Sequence, residues 1–361
     1  MFGSAFRDRT VWLSGHTGFK GAWLAEWLLG EGACVHGFAL PPPTEPSLFV
    51  QLGLAGRLQH EVGDVRDLAA VSRSIQRVRP DFVFHLAAQP LVRPSYADPV
   101  GTYATNVMGT VHVLEALRGV SKPCVAVLVT TDKCYENREW VHGYRETDPL
   151  GGFDPYSSSK AAAEIVIAAY RRSFFRGHPV RIASARAGNV IGGGDWAVDR
   201  IVPDCIRALQ RGEAVGVRNP AATRPWQHVL DPLSGYLWLA ARLAAAAPAT
   251  GEALATAFNF GPTHASNRSV AQLVEELLRH WPDGRWQDRS DPQAVHEAGL
   301  LQLSIDKAQA LLGWSPTWPF AEAVARTVTW YREAGNARGL TAAQIAQFAA
   351  DARRAGAPWA A

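Results

Sequence analysis

From Thr10 to Gly188, short apolar runs alternate with longer stretches of helical spacing. Thr10–Ser14 (TVWLS) reads as a buried strand, and Phe19, Trp23 and Trp27 recur at helical intervals over Phe19–Leu29. Ala33–Ala39 predicts a second strand. The proline-rich run Leu40–Ser47 (LPPPTEPS) that follows excludes regular structure. Further strands are expected at Leu58–Val62, Phe82–Ala87, Val125–Thr130 and Val180–Ala185, and helices at Leu68–Val78, Pro99–Gly119 and Pro155–Phe175. Strand–helix alternation of this kind predicts an α/β fold, a doubly wound parallel sheet covered on both faces.

After Gly188 the rhythm changes. Gly192-Gly193-Gly194-Asp195 reads as a turn, Pro203–Gln210 as a helix, and Ala214–Val217 and Trp226–Leu230 as short strands. Val270–Leu278, Lys307–Leu312 and Phe320–Tyr331 are amphipathic, while Ala240–Ala249 reads as a helix end and loop. The expected division is a core domain over 1–188, to which later segments return, and a smaller C-terminal lobe over 189–361.

Composition narrows the class. Of 361 residues, 36 are Lys or Arg and 33 are Asp or Glu, an excess of three that gives no argument for nucleic acid or membrane as a partner. Four scattered cysteines without a CxxC pair suit a reducing compartment. The first ten residues hold no apolar signal core and no run of 18 apolar residues occurs, so a cytoplasmic protein is expected. The histidines form no HExxH or i,i+4 pair, and no metal is expected.

The chemistry begins at Gly15-His16-Thr17-Gly18-Phe19-Lys20-Gly21, between the first strand and its helix. This glycine spacing lets the backbone turn tightly and approach a pyrophosphate at a helix N-terminus. Asp64 and Val65 close the third strand, where a carboxylate can meet an adenine amino group. Leu86, Ala87, Ala88 and Gln89 close the fourth, with small residues where a ribose must lie close, and Asn106 stands in the next helix. Together they outline a dinucleotide site. Val35–Pro43 offers neither an acid for a ribose nor a cation for a 2′-phosphate, which leans the reading to NAD over NADP.

Tyr156 and Lys160 stand four apart at the start of a helix, so both project from one face. A nearby ammonium stabilises a phenolate, and Tyr156 can then serve as base toward a hydroxyl. Thr130 and Thr131 end the fifth strand, where Thr131 can bond the same hydroxyl. Asp132 and Lys133 add an acid and a base that a simple alcohol oxidation does not need. Such a pair can serve an elimination, Lys133 as the base and Asp132 as the acid for a departing hydroxyl. Arg200 and Arg224 are candidates for a diphosphate, since arginine gives forked, always-charged donors, and Trp196 is a candidate to cover a base or a sugar.

GHTGFKG, the HLAAQP run, TTDKCY, YSSSK and RAGNVIGGGDW together resemble the extended short-chain dehydrogenase/reductase family, from about Val11 to beyond Gly313. Asp–Lys after Thr131 is similar to the members that act on CDP-glucose; other sugar-nucleotide dehydratases there carry Asp–Glu. The resemblance implies a Rossmann-type NAD-binding domain with a sugar-nucleotide lobe. It implies CDP-glucose as substrate, a 4-keto-6-deoxy sugar and water as products, and a place in deoxysugar biosynthesis. It assigns Asn189 to the substrate diphosphate. It also implies a homodimer or homotetramer built on a four-helix interface, to which Val107, Val111 and Leu114 would contribute from one helix and Ile165 and Ala169 from the other. Alternatives are a dehydratase for another nucleotide-glucose, a nucleotide-sugar 4-epimerase and a non-catalytic dinucleotide sensor.

Overall fold

In the computed structural model, which describes residues 1–290 and 299–361, Val11, Trp12 and Leu13 are all completely buried. A strand with no exposed face has to lie inside a sheet covered on both sides. Seven parallel strands form that sheet: β1 (Thr10–Ser14), β2 (Cys34–Ala39), β3 (Gln59–Val62), β4 (Phe82–His85), β5 (Cys124–Val129), β6 (Val180–Arg186) and an edge strand, Ala257–Asn259. Their spatial order is edge strand, β6, β5, β4, β1, β2, β3, which reverses direction between β1 and β4. That reversal opens a crevice at the carboxyl ends of the strands, where ligands of such folds bind.

Alternation along each strand feeds two cores. Val11, Leu13, Phe82, Phe84, Val125 and Val127 join one, which continues into the C-terminal residues. Trp12, Val83, Ala126 and Leu128 point the other way, against Val71, Ile75, Val113 and Leu114 of the flanking helices. Helix starts follow their caps: Asp67 accepts from the Ala70 amide and Asp154 from the Ser157 amide, with Pro155 in the first turn.

The expected helix over Pro99–Gly119 runs as Pro99–Tyr103, a π-turn at Ala104–Met108, and Gly109–Arg118. Such a turn is an insertion that periodicity does not announce. Leu114 is fully buried against the sheet, so it leaves the outer face assigned to it; Val100, Tyr103 and Met108 are the exposed apolar residues of this helix. On Pro155–Phe174, Ile165 is exposed as expected.

The strand expected at Trp226–Leu230 is two short pieces, Thr223–Pro225 and Gln227–His228, and Leu230 already opens a helix that runs to Ala245. Most of that helix is buried around its circumference, which removes the polar stripe that signals a helix. It packs on β5, and Ala257–Asn259 then adds the edge strand. Three residues are too few to show a period. Ala337–Arg354, a helix the pattern also missed, carries alanine on both its buried and its exposed faces. Among the described residues no helix is long and apolar enough to cross a membrane.

Candidate active site

β1 ends at Ser14, whose Oγ accepts from the amides of Leu86 and Ala87 at 3.1 and 3.2 Å and so ties the glycine loop to the end of β4. Gly15 has φ +76°, and a Cβ there would stand 2.7 Å from the Ala87 nitrogen. A Cβ on Gly21 would stand 2.1 Å from the Gly15 carbonyl oxygen. Packing alone therefore dictates both glycines. Gly18, the N-cap of α1 (Phe19–Gly30), differs: a Cβ there would meet only the Gly15 oxygen, at 3.5 Å, with ordinary φ. Nothing among the described residues demands glycine at 18. The open space lies on the cavity side, where a phosphate can approach the first amides of α1, so the loop fits a dinucleotide diphosphate.

The cavity has a volume of about 1440 Å³. Sites for one small ligand hold roughly 300–1,000 Å³; this one has room for two. Thr17, Phe19, Asp64, Val65, Leu86, Ala87, Ala88 and Gln89 line it beside the glycines. Thr17 gives its hydroxyl to the Leu40 carbonyl, and Asp64 accepts from the Arg66 guanidinium at 2.6 and 2.8 Å, which holds its carboxyl below the usual range. Asn106 is a correction. It does not line the cavity: fully buried by the π-turn, it accepts from the Gln89 amide and donates to the Gln89 carbonyl and Ser159 Oγ, all within 3.0 Å. Its amide shapes the loop behind the wall.

Thr130, Thr131, Asp132, Lys133, Tyr156 and Lys160 all line this cavity. Thr130 turns its hydroxyl to Glu164 at 2.5 Å, into a buried network with Arg186 and Ser184. Asp132 is 1% exposed; its Oδ1 accepts from Thr131 Oγ1 at 2.9 Å and its Oδ2 from Asn189 Nδ2 at 3.2 Å. It lies so close under the chain that a Cβ on Gly188 would sit 2.0 Å from its carboxyl carbon. Asn189 lines the cavity in a left-handed conformation, φ 48°, and its carboxylate partner was not legible in the sequence. Lys133 lines the same wall, its amide 3.3 Å from Thr131 Oγ1.

Burial dominates the electrostatics of the Tyr–Lys pair. Burial pushes the Tyr156 phenol up to about 12, against the hydrogen bond from Thr131 and the charge of Arg200, which both favour the phenolate. Lys160 stands one helical turn on from Tyr156. Its ammonium reaches toward the Val129 carbonyl, 3.4 Å away, and burial brings it down to about 8 although Glu164 opposes the shift. The charge of the Arg200 guanidinium eases ionisation of Tyr156, and so does the Thr131 hydroxyl when it turns from Asp132 to the phenol.

Arg200, Trp196 and Arg224 line the cavity as well, each held by the protein. Arg200 pairs with Asp195 at 2.8 Å, Trp196 donates to Gln51 at 3.0 Å and meets Tyr331 edge-on, and Arg224 donates to the Thr223 carbonyl at 2.8 Å. Lys20 and Tyr236 were missed. Lys20 lines the cavity from the first turn of α1, its Nζ 3.5 Å from the Tyr236 hydroxyl on the helix Leu230–Ala245. The sequence signal was a lysine in the first turn after the glycine loop, where a cation opposes the helix dipole.

A family model described as GDP-mannose 4,6 dehydratase matches residues 13–327, the span that holds every residue of this cavity. The chain belongs to this family. Among similar members, CDP-glucose 4,6-dehydratase of Salmonella typhimurium is 47% identical over 91% of both chains. A dTDP-glucose 4,6-dehydratase of Xanthomonas campestris pv. campestris is 29% identical over 74% of this chain and 77% of that one. Among solved structures, a dTDP-glucose 4,6-dehydratase from Streptomyces venezuelae, with NAD and TYD bound, superposes with a TM-score of 0.73 at 25% identity, covering 92% of this chain and 99% of that one. UDP-glucose 4-epimerase of Thermotoga maritima shares the fold, with a TM-score of 0.75 at 21% identity over 90% of this chain and 99% of that one. The dehydratase family thus shares its Rossmann-type scaffold with epimerases. What separates them has to be sought in the residues around Tyr156.

Proposed function

We propose that the chain is a hydro-lyase that converts CDP-glucose into CDP-4-keto-6-deoxyglucose and water, with NAD as its resident cofactor. One observation carries the reaction type: Asp132 and Lys133 line the same cavity as Thr131, Tyr156 and Lys160, with Asp132 hydrogen-bonded to Thr131. The similarity to a CDP-glucose 4,6-dehydratase over nearly the whole chain supports the choice of substrate. Bound NAD would be held by Gly15, Gly18, the α1 amides, Asp64 and the Leu86–Gln89 wall, and it would supply a hydride acceptor for carbon 4 and a hydride donor for carbon 6, so that, with a proton returned to carbon 5, the dehydrated sugar ends as the 4-keto-6-deoxy product and no outside oxidant is consumed.

The chain's own groups do the rest. Tyr156 takes the proton of the carbon 4 hydroxyl, with Thr131 bonded to its phenol and Arg200 favouring the anion. A ketone at carbon 4 acidifies the hydrogen on carbon 5, which Lys133 removes. Asp132, held by Thr131 and Asn189, protonates the carbon 6 hydroxyl as it leaves. The neutral Lys–Asp pair this needs has the same proton count as the ion pair, so the two forms interconvert without exchange with solvent. Arg200, Arg224, Trp196 and Asn189 hold the nucleotide sugar. The protein acts in the cytoplasm as a homodimer or homotetramer, for which the exposed Val100, Tyr103, Met108 and Ile165 offer an apolar face.

The test is a panel of CDP-, dTDP-, UDP- and GDP-glucose, read by the alkaline absorbance of a 4-keto sugar. Keto-sugar from CDP-glucose alone is expected. Another preferred base overturns the substrate, and an epimer without alkaline absorbance overturns the reaction.

A further inference from the structure

Lys20 occupies a position that is unfavourable for a cation on three counts. It stands in the first turn of α1, where the helix dipole presents partial positive charge. Its Nζ has a phenol for a neighbour, Tyr236, and among the described residues no carboxylate lies within ion-pair distance. Arg200, ahead of the helix Ile201–Gln210, and Lys160, on Pro155–Phe174, both face it with like charge, and only Asp132, past the end of β5, opposes them. The same side chain lines the cavity beside Gly18 and the open α1 amides, and Arg200 lines that cavity too, close enough for its charge to act on Lys20. Two kinds of anion-binding group, helix amides and a guanidinium, therefore share its cavity.

We propose that Lys20 is an anion-coupled group: it takes up a proton when a diphosphate enters the cavity and pairs with that diphosphate as an ammonium. Two ligands carry this chemistry here, a dinucleotide and a nucleoside diphosphate sugar, so the assignment rests on the proposed function and deepens it. Burial, reinforced by Arg200 and Lys160, brings the Lys20 amine down to about 7 against the pull of Asp132. The group is therefore largely neutral at about pH 8, and a bound anion restores its charge. A lysine can make this change, whereas an arginine stays charged throughout.

The experiment is calorimetric titration of the purified chain at about pH 8 in two buffers of different ionisation enthalpy, which yields protons taken up per ligand bound. The probes are NAD, CDP and inorganic pyrophosphate. Wild type is expected to take up most of one proton with NAD or with CDP, and the ligand that causes the uptake is the one Lys20 holds. Lys20→Met should abolish the uptake and weaken that ligand by about tenfold or more. Lys20→Arg should bind without uptake, and it carries the test if the methionine variant fails to fold. Pyrophosphate carries the diphosphate without either nucleoside, and uptake with it that Lys20→Met removes also supports the assignment. Uptake that persists in Lys20→Met, or no uptake with any of the three probes, overturns it. The keto-sugar assay reports separately whether the proposed function stands.

Discussion

The two ends of the cavity are built differently. Around the glycine loop, proposed for the dinucleotide, the lining is largely backbone and small residues: Gly15, Gly18, Gly21, Ala87 and Ala88, with the first α1 amides beside them. Where the nucleotide sugar is proposed to bind it is long side chains, each tied to a protein partner: Arg200 to Asp195, Trp196 to Gln51, Arg224 to the Thr223 carbonyl. A backbone wall is set by steric necessity and tolerates almost no change. A side-chain wall is a set of replaceable contacts whose loss is graded. The residues proposed as catalytic share the cavity with both sets, and they should show the steepest effects of all.

Tyr156→Phe should lower keto-sugar formation by about 10³-fold or more, since it removes the group that accepts the first proton. Lys133→Ala should lose as much, but at a later step. That variant should still form 4-ketoglucose with its carbon 6 hydroxyl intact, trapped by labelled borohydride, whereas Tyr156→Phe should yield none. In deuterated water the wild-type product should carry deuterium at carbon 5. Elimination at the wild-type rate by Lys133→Ala would remove Lys133 as the base.

Glycine substitutions probe the backbone wall directly. Gly21→Ala sets a Cβ 2.1 Å from a backbone oxygen, and a loss of about 3 kcal/mol in urea unfolding is expected. Gly18→Ala meets nothing closer than 3.5 Å, so its unfolding midpoint should hold while NAD affinity falls at least tenfold. If Gly18→Ala binds NAD normally, the dinucleotide diphosphate does not approach where the open space lies.

These contrasts also show why one end was legible in the sequence and the other was not. Gly15, Gly18 and Gly21 report a backbone requirement through spacing alone, and Tyr156 and Lys160 report a shared helix face. The Arg200–Asp195 pair is five residues apart in an irregular segment, and Arg200 beside Tyr156 depends on how that segment folds back. Lys20 lay inside the quoted glycine motif, yet its direction depends on the helix Leu230–Ala245, whose all-round burial hid it. Asn106 was read as a cavity residue because the π-turn that turns it inward leaves no mark on the pattern.

Lys160 gives a pH test inside the cavity. Its folded value near 8 lies below the unfolded value of about 10.4, so the folded state binds fewer protons across that window and stability rises with pH there. Below about 8 the lysine is charged in both states and its desolvation costs about 3 kcal/mol. Lys160→Met should therefore be more stable than wild type near neutral pH, with an advantage that shrinks toward pH 10 or so. A pH-independent difference in urea unfolding would show that Lys160 is not desolvated.

The smallest effect belongs to Asp64, a side-chain contact set in the backbone-built end. Its carboxylate is already satisfied by the Arg66 guanidinium and amide, and both residues are well exposed, Asp64 at 26% and Arg66 at 50% of their side chains. An exposed pair of this kind adds at most about 1 kcal/mol to stability, so Asp64→Ala should leave the unfolding midpoint nearly unchanged. If Asp64 nevertheless bonds an adenine amino group, the same variant should weaken NAD about fivefold while leaving CDP affinity alone. Arg66→Ala tells whether the pair acts as one unit. Freed from its partner, Asp64 could still accept from the adenine, so the loss should be smaller than that of Asp64→Ala. Equal losses would mean that Arg66 fixes the carboxylate in place, as Asp195 is paired with Arg200 across the cavity. No loss in either variant would mean that the adenine is held by backbone and apolar contacts alone, and the contrast between the two ends would then be sharper still.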